Sequence, residues 1–186
     1  MTMHFSHRHP LCPTHIQEDD EIICSGCELT LSAGLAYKCS KTNCEFYLDE
    51  LCFELPRDIR HNSHPKHPLV LLSSPCHGFT CSACGDSCTA FFNYHCQTCE
   101  FGAHVECAAL PEMVKIEGHE HPLTLICSLV DQKINAHKQD KEFICNVCDG
   151  DFPDGCWVYY CKVCQCAATH LDCAIARAED HEPHLQ

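Results

Sequence analysis

Basic residues are scarce in this 186-residue chain: Lys+Arg number 12 against 26 Asp+Glu, a formal net charge of −14. That deficit argues against sequence-independent binding to nucleic acid or to an anionic membrane, because both need a basic footprint. Arg57, Arg60 and Lys66 form a local basic spot and read as solvated side chains. Long apolar runs are missing too. Met1 to Leu11 contains none, so no signal peptide is expected, and Leu69–Leu72 is far too short to span a bilayer. A cytoplasmic and/or nuclear location is the expectation, and there thiols stay reduced. There is no phosphate-binding glycine loop, no HExxH and no nucleophile elbow, so no residue is singled out as catalytic and no nucleotide cofactor is expected.

What the chain has instead is 21 Cys and 16 His. The cysteine number is odd, and the pairs are too close together for a disulfide framework to be the simpler account. A Cys-x2-Cys pair turns two thiolates towards one tetrahedral ion, and His-x2-Cys adds two more donors of the kind zinc takes.

These elements recur. His-Pro-Leu stands at His9, His67 and His121; Cys-x2-Cys follows at Cys24/Cys27, Cys81/Cys84 and Cys145/Cys148. A tyrosine then precedes the next ligand cysteine by two positions: Tyr37 before Cys39, Tyr94 before Cys96, Tyr159 before Cys161. Repetition at roughly 50–65 residues predicts three units, 1–64, 65–119 and 120–186, each marginal on its apolar core alone. Structural zinc, at about 10–16 kcal/mol of apparent binding energy, then becomes folding energy.

The middle unit is the most regular. It offers His67, Cys81, Cys84, Cys96, Cys99, His104, Cys107 and His119, eight donors for two ions. This set resembles the plant Cys/His-rich family of divergent C1 domains, and the likeness extends over essentially the whole chain. The resemblance implies a small zinc-stabilised α+β fold of short β-hairpins with one short helix per unit. It also implies interleaved sites, Cys81/Cys84/His104/Cys107 and His67/Cys96/Cys99/His119.

The first unit then provides His9, Cys39, Cys44 and His64 for one site and Cys24, Cys27, Asp49 and Cys52 for the other, with Asp49 where the family has histidine. Asp49 is either a conservative ligand swap or the mark of a looser site with an exchangeable water, as a catalytic zinc needs. The third unit provides His121, Cys145, Cys148, Cys161, Cys164, His170, Cys173 and His181. Cys166 competes with Cys164, and His184 echoes His67. On this scheme His7 closes a unit that is not there. About six zinc ions per chain follow. His64 and His67 would serve different ions, as would His119 and His121, which would hold neighbouring centres close in a rigid rod or compact arc. The alternative is that His119 and His121 share one ion.

Six cysteines are left over: Cys12, Cys76, Cys88, Cys127, Cys156 and Cys166. They read as small buried hydrophobes or incidental thiols. Three functions are compatible with the residues. The resemblance favours a non-enzymatic zinc module that meets a protein partner in signalling or stress response. A zinc enzyme using a departed site near Asp49 or Cys166 is the alternative. Diacylglycerol or lipid binding, known for relatives of the family, is disfavoured by the negative charge.

Overall fold

The computed structural model describes residues 1–17, 20–73, 79–88, 91–127, 144–165 and 168–178. Among the described residues there are three four-stranded antiparallel sheets, and in each the strands lie side by side in chain order. Two compact units hold them. Among the described residues, the first comprises those within 1–79 and 87–105, and the second those within 80–86 and 106–178.

In the first sheet β1 (Thr2–His4), β2 (His7–Ile16), β3 (Gly34–Cys39) and β4 (Tyr47–Asp49) lead into helix α1 (Glu50–Glu54). The second has β5 (Asp58–Ile59), β6 (Leu69–Ser73), β7 (Phe92–His95) and β8 (Gly102–His104), followed by α2 (Val105–Ala108). The third has β9 (Met113–Val114), β10 (Leu123–Ile126), β11 (Val158–Tyr160) and β12 (Ala168–Thr169), followed by α3 (Leu171–Ile175). Short strands, with one short helix after the last strand of each sheet, are what the resemblance implied. Helices of four or five residues do not hold themselves in water. Each of these carries a cysteine of a thiol group described below.

Alternation puts Leu69 and Leu71 of β6 inside, at 1% and 0% exposure, while Val70 between them is half-buried. The recurring tyrosine is explained by what it reaches. Tyr94 and Tyr159 are fully buried, and each hydroxyl donates to a proline carbonyl ahead of the sheet: Tyr94 to Pro56 at 2.8 Å and Tyr159 to Pro111 at 2.7 Å. Each thus ties the third strand of its sheet to the segment entering the first. Tyr37 differs, lying half-buried with its ring stacked on Phe53 of α1 at 3.6 Å.

The turns after the Cys pairs are built alike. Glu28, Gly85 and Asp149 each follow the second cysteine with φ of 63°, 85° and 56°. Their amides donate to the carbonyls of Cys24, Cys81 and Cys145 at 3.0, 2.9 and 2.9 Å. The left-handed position therefore falls one residue beyond the pair, and glycine holds it only at Gly85. Gly26, inside its pair, serves close approach instead: a Cβ there would stand 2.8 Å from the Phe92 ring and 3.0 Å from Cys52 Sγ.

Candidate metal centres

In every sheet one donor group forms where strands two and three begin and end together. Leu11 lies opposite Cys39, and Ser40 N donates to Pro10 O at 3.0 Å, which sets β2 beside the Cys39 turn. Five groups of four donors each have their ligand atoms within 4.8 Å of one another. Three use a pair of histidines from the start of the second strand or just before it: His7/His9/Cys39/Cys44, His64/His67/Cys96/Cys99 and His119/His121/Cys161/Cys164. Two use the loop Cys pair: Cys81/Cys84/His104/Cys107 and Cys145/Cys148/His170/Cys173.

A sixth grouping appears in the hydrogen bonds of the first sheet. Cys27 Sγ donates to Asp49 Oδ2 at 3.2 Å, while Asp49 Oδ1 accepts from Cys52 N at 2.5 Å and so caps α1. Cys24 Sγ accepts from Gly26 N at 3.4 Å and Asp49 N at 3.5 Å, and the thiols of Cys27 and Cys52 hydrogen-bond to it.

The histidine pairing differs from the one the resemblance implied. His64 belongs with His67, Cys96 and Cys99, not with His9, Cys39 and Cys44; His7 takes that place. His119 belongs with His121, Cys161 and Cys164, not with Cys96 and Cys99. The reason is local. The two histidines of a pair are separated by one or two residues at one strand start, so both rings reach the same cysteine turn. Consequently the inference that paired histidines serve different ions, and the spacing of centres drawn from it, does not hold. His7 is the residue that the sequence reading left out. The signal for it was the match of His7-x-His9 to His119-x-His121. Cys164 joins the third such group, whereas Cys166 and His181 lie outside the described residues, as do His184, Cys76 and most of the segment after Cys127.

Aromatic rings brace the first histidine of two pairs. His7 stacks on Phe46 at 4.2 Å and 12°, and His64 stacks on Phe101 at 4.6 Å and 15°. The ring nitrogens then face sulfur: His7 Nε2 to Cys39 and Cys44 at 3.2 and 3.3 Å, His9 Nδ1 to Cys39 at 3.5 Å, His67 Nδ1 to Cys99 at 3.2 Å, and His119 Nε2 to Cys164 at 3.7 Å. His64 Nε2 is buried without a hydrogen-bond partner. It is the same nitrogen that His7 and His119 turn to their cysteines.

These separations fit an ion. Zinc with bonds of about 2.0–2.3 Å in a tetrahedron has donor–donor edges of roughly 3.3–3.8 Å. Cys148 Sγ to His170 Nδ1 at 3.3 Å fits as well, and behind the ring His170 Nε2 donates to Asp151 O at 2.9 Å. That outward bond fixes the tautomer which leaves Nδ1 free to ligate. His104 Nε2 lies 3.4 Å from Ser87 O in the same sense.

The charges also call for a cation. Hydrogen bonds from Cys27 and Cys52 hold Cys24 as a thiolate, far below the ordinary thiol range. The price falls on its neighbours: Cys27 is pushed up to about 12, chiefly by its bond to Cys24, and Cys52 is pushed far above the thiol range by both partners. Cys107 is likewise driven up by Cys81 and by burial, and burial raises Cys84 to about 11. Cys145 falls to about 7, because backbone amides of His170 and Val147 outweigh its burial. Three clustered thiols cannot all ionise unless a positive ion joins them. The donor sets, sulfur with imidazole or carboxylate in fours, suit zinc.

Among the described residues, no helix is long and apolar enough to cross a membrane. Comparison with known proteins agrees with the donor chemistry. No solved structure matches the chain. A probable nucleoredoxin 1 from Arabidopsis thaliana is 35% identical over 72 residues, 39% of this chain. The chain spans only 12% of that protein's length. Residues 62–108 match the family model described as C1 domain, a span that holds His64, His67, Cys81, Cys84, Cys96, Cys99, His104 and Cys107, both donor groups of the second sheet.

Proposed function

We propose that this chain is a non-enzymatic zinc module of plant signalling or stress response, which presents an ion-fixed surface to a protein partner. It consists of three divergent C1-type units in tandem with two zinc ions each, about six in all. Each unit begins at its own histidine pair, so the units follow the donor spans 7–52, 64–107 and 119–173.

The observation that carries this reading is the closure of the donor groups. Each of the five Cys/His groups brings four protein donors to one point. Four donors fill a tetrahedral zinc and leave no position for substrate or activated water, which a catalytic zinc keeps open. The similarity to a probable nucleoredoxin 1 covers a small part of that protein, as expected for a portable module. Ile23, Leu29 and Leu51 are 58%, 63% and 73% exposed and flank the Cys24/Cys27 turn and Cys52, so they are the surface offered to a partner.

Elemental analysis of purified protein should give about six zinc per chain, and cobalt-substituted protein should show tetrahedral spectra throughout. Three zinc or fewer, or a five-coordinate cobalt, would refute the reading. For the interaction itself, a partner cross-linked to the chain in plant cells should be lost both with the Ile23→Ser/Leu29→Ser/Leu51→Ser variant and on zinc stripping. Retention through both would remove the surface from the argument.

A further inference from the structure

Three thiol-rich groups occupy equivalent places in the three sheets. Each has a loop Cys pair, a donor at the end of the last strand and a cysteine three residues further on in the helix. In two of them the strand-end donor is a histidine, His104 or His170, whose far nitrogen meets a loop carbonyl, Ser87 O at 3.4 Å or Asp151 O at 2.9 Å. The imidazole is thereby held from behind while its near nitrogen faces the thiols.

Asp49 is built differently. One carboxylate oxygen faces Cys27 Sγ at 3.2 Å, and the other accepts from the Cys52 amide as the cap of α1. It is tied to the helix that carries another donor of the same group, not to the loop behind it. A zinc ion bound there would share its ligand with the helix cap. Three thiolates and a carboxylate also leave a net charge of about −2 around a divalent ion, against about −1 with imidazole, in a half-buried place where excess charge is costly. Oxygen is a harder donor than imidazole for a borderline-soft ion.

We propose that Cys24, Cys27, Asp49 and Cys52 form the chain's exchangeable zinc site, which yields its ion to a competing chelator before any other. The five other groups each contain at least one imidazole and retain theirs. On exchange the zinc leaves as the chelate. The displaced donors take up protons from water and return to the hydrogen-bonded set described above, with Cys27 donating to Asp49. The inference rests on the six-zinc reading.

The test uses the full zinc-loaded chain mixed with excess pyridylazoresorcinol in a stopped-flow instrument. About one zinc in six should leave in a separate phase, roughly tenfold or more ahead of the rest. Asp49→His should merge that phase with the slow one. Should Asp49→His fail to fold, alkylation of the wild type during zinc release, read by peptide mass spectrometry, reports the same site. Cys24, Cys27 and Cys52 should be modified ahead of the ligand cysteines of the five imidazole-containing groups. Release of all zinc at one rate, a fast phase that survives Asp49→His, or earlier modification of the cysteines of another group would overturn the proposal. A total well below six would instead overturn the six-zinc reading beneath it.

Discussion

Replacing Tyr94 by Phe removes one oxygen from a fully buried ring and leaves the ring in place. The lost bond runs from the hydroxyl to Pro56 O at 2.8 Å. A buried carbonyl deprived of its donor costs about 1–2 kcal/mol at neutral pH. Tyr159→Phe should cost as much, through Pro111 O at 2.7 Å. Tyr37→Phe is the internal control: its ring stacks on Phe53, which the substitution preserves, so the loss should stay within about 0.5 kcal/mol. Alkali provides a second reading of the same bond. Burial pushes both Tyr94 and Tyr159 well above the ordinary phenol range, which lies near 10. A raised tyrosine favours the folded state fully below about pH 10, and that advantage is lost progressively as the pH climbs above the free phenol value. At pH 11, one unit above the free phenol, the loss is about 1.4 kcal/mol per tyrosine. The advantage of wild type over Tyr94→Phe should therefore nearly vanish by about pH 11. Guanidinium unfolding of the zinc-loaded protein between neutral pH and about pH 11 measures both effects. The single tryptophan, Trp157, is buried beside β11 and reports on Tyr159. Equal losses in all three tyrosine variants, or a Tyr94 penalty unchanged at high pH, would refute the reasoning.

Three further outcomes follow from particular contacts. His7→Ala and His64→Ala should each lose one zinc, from different groups; zinc analysis of the two variants decides the histidine pairing. Gly26→Ala should destabilise by about 1–3 kcal/mol, since its Cβ meets the Phe92 ring and Cys52 Sγ, and denaturation midpoints will show it. Glu28→Gly, at φ 63°, should stabilise by about 0.5–1 kcal/mol in the same assay, and a loss would mean that the Glu28 side chain has an unrecognised role.

Much of the centres was legible because zinc chemistry is written in short spacings. Cys81-x2-Cys84 with His104-x2-Cys107 needs only a turn and one helical step to converge. The histidine pairs were not legible in this way. His9 and Cys39 are 30 residues apart, and only the β2–β3 register makes them neighbours. An outer histidine on either side of the cysteine turn satisfies a spacing rule equally well. The backbone chose the near one, because His64 and His67 leave the same strand start. The tyrosine motif was visible as a repeat, yet its purpose depends on proline carbonyls 38 and 48 residues away.

The sequence by itself determined the donor chemistry: which residues carry sulfur, imidazole or carboxylate, in what number, and that a cation must gather them. Local spacing suffices for that, since a four-residue Cys turn closes on its own amides. Only the tertiary structure decided which donors are gathered into one group, that His7 stands beside His9 where His64 was expected, and that Asp49 divides its two oxygens between a thiol group and a helix cap. Those outcomes rest on strand register and on the direction in which each helix leaves its sheet, and neither is encoded in any one short stretch.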